Sequence, residues 1–140
     1  MVIPVLKGID IIEIQDDLKG SKFRGTAYIA EENDVGSDCF YFEVLTPEYV
    51  RESFIEHKIL NGRATFIVQN FESDSVETEI RKILKDCIRP TWEEAVRAIN
   101  RHLNWEYDNI QYFTEEEIVT KLDQKNGKFK PLEIVPPENS

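Results

Sequence analysis

Two amphipathic helical patterns follow one another in the second half of the chain, with Pro90 between them. The first pattern has a single wide apolar stripe, formed by Val76, Ile80, Ile83, Leu84, Cys87 and Ile88. The buried face of the second is expected to consist of Trp92, Ala95, Val96, Ile99 and Leu103. Because each helix is apolar on one side only, both must pack on another layer of the protein.

Local signals mark where two of the helices begin. Thr91 can cap the free amides of the second amphipathic helix, and Glu94 completes a capping box three residues later. A shorter helix is predicted after Thr46, which can act as its cap, with Pro47 at the first helical position. Its apolar edge is expected to include Phe54.

The first half of the chain is patterned for strands. Strands are predicted over residues 2–14, 22–31 and 39–45, with a break or bulge at Gly8. The alternating apolar side chains of the third strand are Phe40, Phe42 and Val44. These three strands are expected to pair as an antiparallel meander.

Two further strand signals complete the predicted sheet. Asn61-Gly62 is typical of a two-residue hairpin, which would join residues 57–60 to residues 63–69. Residues 105–112 alternate and indicate a closing strand. The predicted fold is therefore α+β: an antiparallel sheet of about five or six strands, packed against two consecutive amphipathic helices plus one short helix. We expect residues 1–113 to form a single domain and residues 114–140 to form a short helical turn and a loose C-terminal tail.

Acidic residues are concentrated in two segments. The 140-residue chain has a net charge of −10, yet residues 25–50 and residues 102–120 contain no Lys or Arg. The candidate surface carboxylates in these segments are Glu31, Glu32, Asp34, Asp38, Glu106, Asp108, Glu115, Glu116 and Glu117. No basic stripe is available to bind nucleic-acid phosphates, whereas a basic protein would be attracted. Acidic loops that merely keep a domain soluble remain the alternative.

Signals of catalysis are weak. His57 and His102 belong to no metal-ligand spacing, and Cys39 and Cys87 lack the electropositive surroundings of a reactive thiolate. We therefore expect no catalytic residue, no metal and no cofactor, although abundant carboxylates leave an acid/base or metal-dependent enzyme open. The role of Trp105 also has two alternatives: it is either a packing anchor or an exposed interface residue.

The chain begins without the basic leader of a signal peptide, and no apolar run approaches membrane-spanning length. Its two cysteines are consistent with a reducing compartment. We therefore expect a soluble, cytoplasmic protein with no membrane partner.

Several motifs together resemble the immunity protein 8 family of bacterial polymorphic toxin systems. They are FYFEVLTP at residues 40–47, the strand of residues 63–69, TWEE at 91–94 and WEYD at 105–108, in this order and spacing over roughly residues 38–112. The motif residues are Phe40, Phe42, Thr46, Pro47, Thr91, Trp92, Glu94, Trp105 and Tyr107. The N-terminal strands fit only loosely, and the tail after Phe113 extends beyond the resemblance.

The resemblance implies an α+β protein that binds and neutralises a secreted toxin in the cytoplasm, without catalysis. The charge pattern suits this function, because the two acidic segments can form one surface for a basic toxin domain. The alternative is an interaction or scaffold domain with no toxin partner. An exposed strand edge would permit it to form a homodimer, although no feature of the sequence indicates one.

Overall fold

The structure, a computed structural model, describes residues 1–108. Its elements are β1 (Pro4–Ile14), β2 (Lys22–Glu31), β3 (Asp38–Leu45), α1 (Pro47–His57), β4 (Thr65–Ile67), α2 (Ser73–Lys85), α3 (Trp92–Ile99) and β5 (Asn104–Trp105). The α+β class is confirmed: a five-stranded, mostly antiparallel sheet is combined with three helices. Among the described residues, no helix is long and apolar enough to cross a membrane. The predicted C-terminal turn and tail lie outside the described residues.

The first three strands form the predicted antiparallel meander. Strict alternation of inward and outward side chains made β2 and β3 easy to locate, and the predicted β2 has the observed bounds. The register of β1 against β2 shifts between Leu6 and Gly8, which confirms the expected bulge.

Gly25 makes room for the buried Phe42 side chain of the sheet interior. It lies opposite Phe42 in the β2–β3 ladder. A Cβ atom built on Gly25 would lie 2.1 Å from Cζ of the Phe42 ring, much closer than any real contact. The buried Phe42 ring therefore occupies the space that a side chain at position 25 would need.

Helices α2 and α3 cover the apolar face of the sheet. Phe40, Phe42 and Ile29 of the sheet share one core with Ile80 of α2 and Ile99 of α3, and all five are fully or almost fully buried. The remaining fully buried side chains of 2% exposure or less are Ala27, Val44, Leu45, Val76, Cys87, Ala95 and Leu103. Most of the two predicted helical stripes is thus buried, while Ile88, at the end of the first, is 36% exposed.

The predicted hairpin at Asn61-Gly62 is wrong. Residues 57–60 form no strand, because α1 runs to His57 and Lys58 ends it in a left-handed conformation. β4 pairs with β3 in parallel, and α1 lies in the connection between them. A parallel pair requires such a crossover, whereas a two-residue turn can join only antiparallel strands. The sheet is therefore mixed at this edge.

Two expectations for the short helix are also corrected. The Thr46 side chain does not cap α1: its Oγ1 accepts the Ser21 N–H across 2.9 Å, which ties the start of the helix to the β1–β2 turn. Phe54 is not on the buried side of α1, since its side chain is 48% exposed and the helix buries Tyr49 and Ser53 instead.

The closing strand is shorter than predicted. Among residues 1–108, the closing strand pairs with β3 only through Asn104 and Trp105, opposite Tyr41 and Phe40. Residues 106–108 form a turn, closed by a hydrogen bond from the Asp108 N–H to the Trp105 carbonyl (3.1 Å). The rest of the predicted strand, residues 109–112, lies outside the described residues.

Candidate functional site

Trp105 links the two acidic segments at one edge of the sheet. Its partly buried ring packs against the core, and its indole N–H donates to Oδ2 of Asp38 across 3.1 Å. The ring of Tyr107 meets it edge to face, with ring centroids 5.4 Å apart. Trp105 is thus a packing anchor whose polar atom is satisfied by a carboxylate from the first acidic segment.

Glu106 makes the second link. Its backbone N–H donates to the Cys39 carbonyl (3.0 Å), and its side-chain Oε2 accepts the Cys39 N–H (2.7 Å). The carboxylate therefore substitutes for the backbone carbonyl that a longer β5 would have supplied. Burial raises the pKa of the Cys39 thiol, and the nearby carboxylates of Glu106 and Asp38 raise it further, which keeps the thiol protonated.

Asn100, at the end of α3, forms further hydrogen bonds at the same edge. Its Nδ2 donates to Asp108 (2.8 Å), and its Oδ1 accepts the Trp105 N–H (2.9 Å). The Arg63 guanidinium adds hydrogen bonds to Asn100 and to the side chain of Asn104. Sequence reasoning missed Asn100 and Arg63, because nothing in the local pattern distinguishes them from ordinary surface residues.

The remaining candidate carboxylates within residues 1–108 lie at the end of β2 and in the loop that follows it. Glu31 is the last residue of β2, while Glu32 and Asp34 are exposed in the loop that follows. The Glu32 N–H is anchored to the Ile3 carbonyl (3.0 Å). A polar cleft of about 320 Å³ lies between this loop and the first three residues of the chain. Among residues 1–108, no Lys or Arg forms an ion pair with these three side chains.

The described parts of the two acidic segments meet at one end of the sheet. β3 begins with Asp38 directly after the loop, and β5 pairs with Phe40 and Tyr41 near that same end. Asp38, Glu106 and Asp108 are engaged in hydrogen bonds there. Glu32 and Asp34 are exposed, with Asp34 Oδ1 accepting only the Gly36 N–H of its own loop (3.5 Å), and Glu31 is half-buried. Glu115, Glu116 and Glu117, the remaining candidates, lie outside the described residues.

The motif residues have structural roles. Phe40 and Phe42 are core residues at 0% and 1% exposure. The predicted Thr91 cap is present, since its Oγ1 accepts the Glu94 N–H across 3.1 Å. The Glu94 carboxylate accepts the Thr91 hydroxyl (3.2 Å) in place of the backbone N–H that completes a capping box. Trp92 packs partly buried against the core, and Pro47 occupies the start of α1. Tyr107 is 46% exposed beside Trp105, so this aromatic motif residue is accessible to a partner.

The most strongly perturbed acid–phenol pair lies away from this edge. The Tyr49 hydroxyl donates to Asp16 across 2.6 Å. This hydrogen bond and one from the Leu18 amide lower the pKa of the Asp16 carboxyl, while burial and the Asp16 contact raise the pKa of Tyr49 to about 12. Both shifts favour an ionised Asp16 and a protonated Tyr49. The hydrogen bond between them connects α1 to the β1–β2 turn. Within residues 1–108, no group of three or more His, Cys, Asp or Glu side chains is arranged to hold a metal ion.

A comparison with protein families matches the chain to a family model. The model, described as immunity protein 8, covers residues 6–110. No curated protein and no solved structure matches the chain significantly. Among the described residues, the match takes in every helix and strand except Pro4 and Val5 at the start of β1, together with the edge built around Trp105.

Proposed function

The chain belongs to the immunity protein 8 family, and from this premise we propose that it neutralises a cognate bacterial toxin domain. It acts by stoichiometric binding in the cytoplasm of the producing cell, and the reaction chemistry belongs to the toxin alone. Its contribution is a surface of matching shape and charge, which needs no cofactor, metal or catalytic side chain.

The toxin-binding surface is the acidic edge, defined here as Glu31, Glu32, Asp34, Asp38, Glu106 and Asp108. The observation that carries this assignment is the link between the two acidic segments, through Trp105 to Asp38 and through Glu106 to Cys39. Segments far apart in the chain thereby add their charge to one region.

The carboxylates of the acidic edge divide into two groups by their contacts. Asp38, Glu106 and Asp108 accept hydrogen bonds from the protein itself and hold the edge in shape. Glu31, Glu32 and Asp34 lack an ion-pair partner among the described residues and are proposed to meet the toxin directly. The second group is therefore the right target for mutations that aim to change binding without changing the fold.

The partner should be basic. A cluster of like charges steers a basic domain toward the productive orientation and raises the association rate, which matters when the free partner is lethal. If the toxin acts on nucleic acid, its own phosphate-binding surface would be basic, and the acidic edge would compete with that substrate. The chain itself is proposed to bind no nucleic acid.

A scaffold domain that dimerises through a strand edge is the alternative, and β1 provides the relevant observation. Among the described residues, β1 pairs with β2 alone from Pro4 to Ile14. However, β1 has a bulge next to Lys7 and exposes Asp10 and Glu13. Bulges and charges on an edge strand oppose pairing between copies, so the toxin-binding function is favoured over the homodimer.

The direct test is to mix the purified chain with the C-terminal domain of the secreted toxin encoded beside it. We expect a 1:1 complex by calorimetry and light scattering, with toxin activity falling to zero at one equivalent. Inhibition that continues to accumulate at substoichiometric amounts of the chain would indicate catalysis and contradict the proposal. Absence of any complex would favour the scaffold alternative.

A further inference from the structure

The end of helix α1 exposes three large apolar side chains within six residues. Phe54, Ile55 and Ile59 are 48%, 65% and 76% exposed, while the helix turns Tyr49 and Ser53 toward the interior. Single exposed apolar residues are ordinary, whereas Phe54 and Ile55 in the last turn of α1 and Ile59 just after it concentrate exposed apolar side chains in one short segment. Contiguous apolar surface is the kind that marks interaction sites.

The helix terminus does not account for the patch. Lys58 ends α1 in a left-handed conformation, with its N–H bonded to the Phe54 carbonyl across 2.9 Å. In such an ending, the apolar residue that follows often packs back against the last helical turn. Ile59 is too exposed to be packed in this way. Its apolar surface is left available to a partner.

The charges beside the patch distinguish α1 from the other two helices. Glu48, Glu52 and Glu56 lie at successive i, i+4 positions, so that carboxylates neighbour carboxylates along one side of the helix. Such like-charge neighbours destabilise a helix. None of the three forms an ion pair with a Lys or Arg of residues 1–108.

The corresponding positions in α2 and α3 are neutralised. Glu77 pairs with Arg81 in α2 across 3.6 Å, and Glu93 pairs with Arg97 in α3 across 2.9 Å. Glu77, Glu79 and Glu93 thus have paired cations one turn away, whereas Asp74 and Glu94 form no ion pair among residues 1–108. In α1, Arg51 follows Glu48 by three residues but forms no ion pair with the acidic row, which lies near apolar surface that is also unused by the fold.

We propose that this face of α1, comprising Phe54, Ile55, Ile59 and the row Glu48, Glu52 and Glu56, is a second contact surface for the toxin domain. The inference rests on the proposed function and adds to it. The fitting partner presents an apolar pocket bordered by Lys or Arg side chains, because this arrangement complements both the apolar patch and the acidic row.

The position of the α1 face makes it separate from the acidic edge. β3 runs from Asp38, at the acidic edge, to Leu45, directly before α1. Eight residues of strand place these ends about 23 Å apart at ~3.3 Å per residue. A standard interface of roughly 800 Å² per partner is about 30 Å across, which is longer than the strand between the acidic edge and the residue directly before α1.

A second copy of the chain is a poorer occupant of this face. In a two-fold dimer each patch meets its own equivalent, so the acidic row of one copy would lie close to that of the other. Like charges facing each other across an interface oppose association. The acidic row therefore selects a basic partner and disfavours self-association.

The experiment measures binding of the purified toxin domain to the parent chain and to three variants. Ile55→Ser with Ile59→Ser should weaken binding at least tenfold, mainly through faster dissociation, since an apolar anchor is lost. The matched control is Ile12→Ser, which removes an equally exposed isoleucine (62%) from β1 and should leave the affinity within twofold. Neutralising Glu48, Glu52 and Glu56 to Gln should slow association and lower its salt dependence.

The outcomes separate this inference from the proposed function. If the parent binds the toxin and neither the Ser nor the Gln variant differs from the control, the α1 surface is refuted while immunity stands. If the parent does not bind, both proposals fail. A parent that sediments as a dimer, and an Ile55→Ser, Ile59→Ser variant that sediments as a monomer, would assign the patch to self-association and overturn the inference. Because the mutated side chains are exposed, the variants should retain the parent's circular dichroism spectrum.

Discussion

The indole N–H of Trp105 donates to the carboxylate of Asp38 across 3.1 Å, although the two residues are 67 positions apart in the chain. Trp105 also pairs with Phe40 in the ladder between β3 and β5. Trp105 thus holds the short closing strand to the start of β3 both through its backbone and through its side chain. The shape of the acidic edge depends on this contact.

Replacing Asp38 should therefore reduce stability. Asp38→Ala removes the acceptor of the Trp105 indole and should lower the free energy of unfolding by about 1–2 kcal/mol. Asp38→Asn keeps an acceptor oxygen and should cost less than half as much. Urea denaturation followed by tryptophan fluorescence measures both. Equal stability of the Ala variant and the parent would mean that the contact contributes nothing to the edge.

Gly25 should not tolerate a side chain. Gly25→Ala places a methyl group 2.1 Å from the Phe42 ring, and the overpacked core should lose about 1–3 kcal/mol of stability. Gly36 is the matched control, because a Cβ there has nothing within 4 Å. Gly36→Ala should change the denaturation midpoint by little. Similar midpoints for both variants would contradict the close packing of β2 against Phe42.

Tyr49 should make stability sensitive to alkaline pH. Its pKa is raised to about 12 in the folded protein, whereas an unfolded tyrosine titrates near ~10. The stabilisation is therefore complete below about pH 10 and is lost as the pH rises toward 12, because the unfolded state releases the proton first. Tyr49→Phe cannot titrate, so its thermal midpoint should fall less steeply than the parent's over this window. Parallel curves for the two proteins would show that Tyr49 is not perturbed.

Local patterns were sufficient where neighbouring residues decide the structure. β2 and β3 were predictable because apolar and polar side chains alternate along them, as with Phe40 and Phe42. The start of α3 was predictable because Thr91 and Glu94 form their capping contact within a single turn. In each case the determining partner lies a few residues away.

Long-range contacts explain what the sequence did not reveal. Thr46 carries an N-cap signal, yet its hydroxyl bonds Ser21, 25 positions away. Asn61-Gly62 carries a hairpin signal, yet the parallel pairing of β4 with β3 requires a crossover through α1. The same limit applies to the candidate site: its carboxylates were proposed from charge alone, but the hydrogen bonds by which Trp105, Cys39 and Asn100 hold three of them could not be anticipated.

The structure also changes how the acidic surface should be tested. Reversing the charge of Asp38 would break the Trp105 contact and confuse lost binding with lost shape. The exposed loop residues Glu32 and Asp34, with the half-buried Glu31 at the end of β2, avoid that problem because none of them bonds Trp105. A suitable control reverses three exposed carboxylates elsewhere that form no ion pair among residues 1–108, namely Glu13, Asp17 and Asp86, and so makes the same change in net charge.

The association rate of the toxin domain with these two triple-Lys variants is the most direct test of the acidic edge. Stopped-flow measurement at low salt should give a rate at least tenfold lower for the Glu31, Glu32 and Asp34 variant than for the control, with the difference shrinking as salt is added. Dissociation should become faster as well, because direct contacts are lost. Equal rates for the two variants at low salt would contradict the assignment of the acidic edge as the surface that meets the toxin.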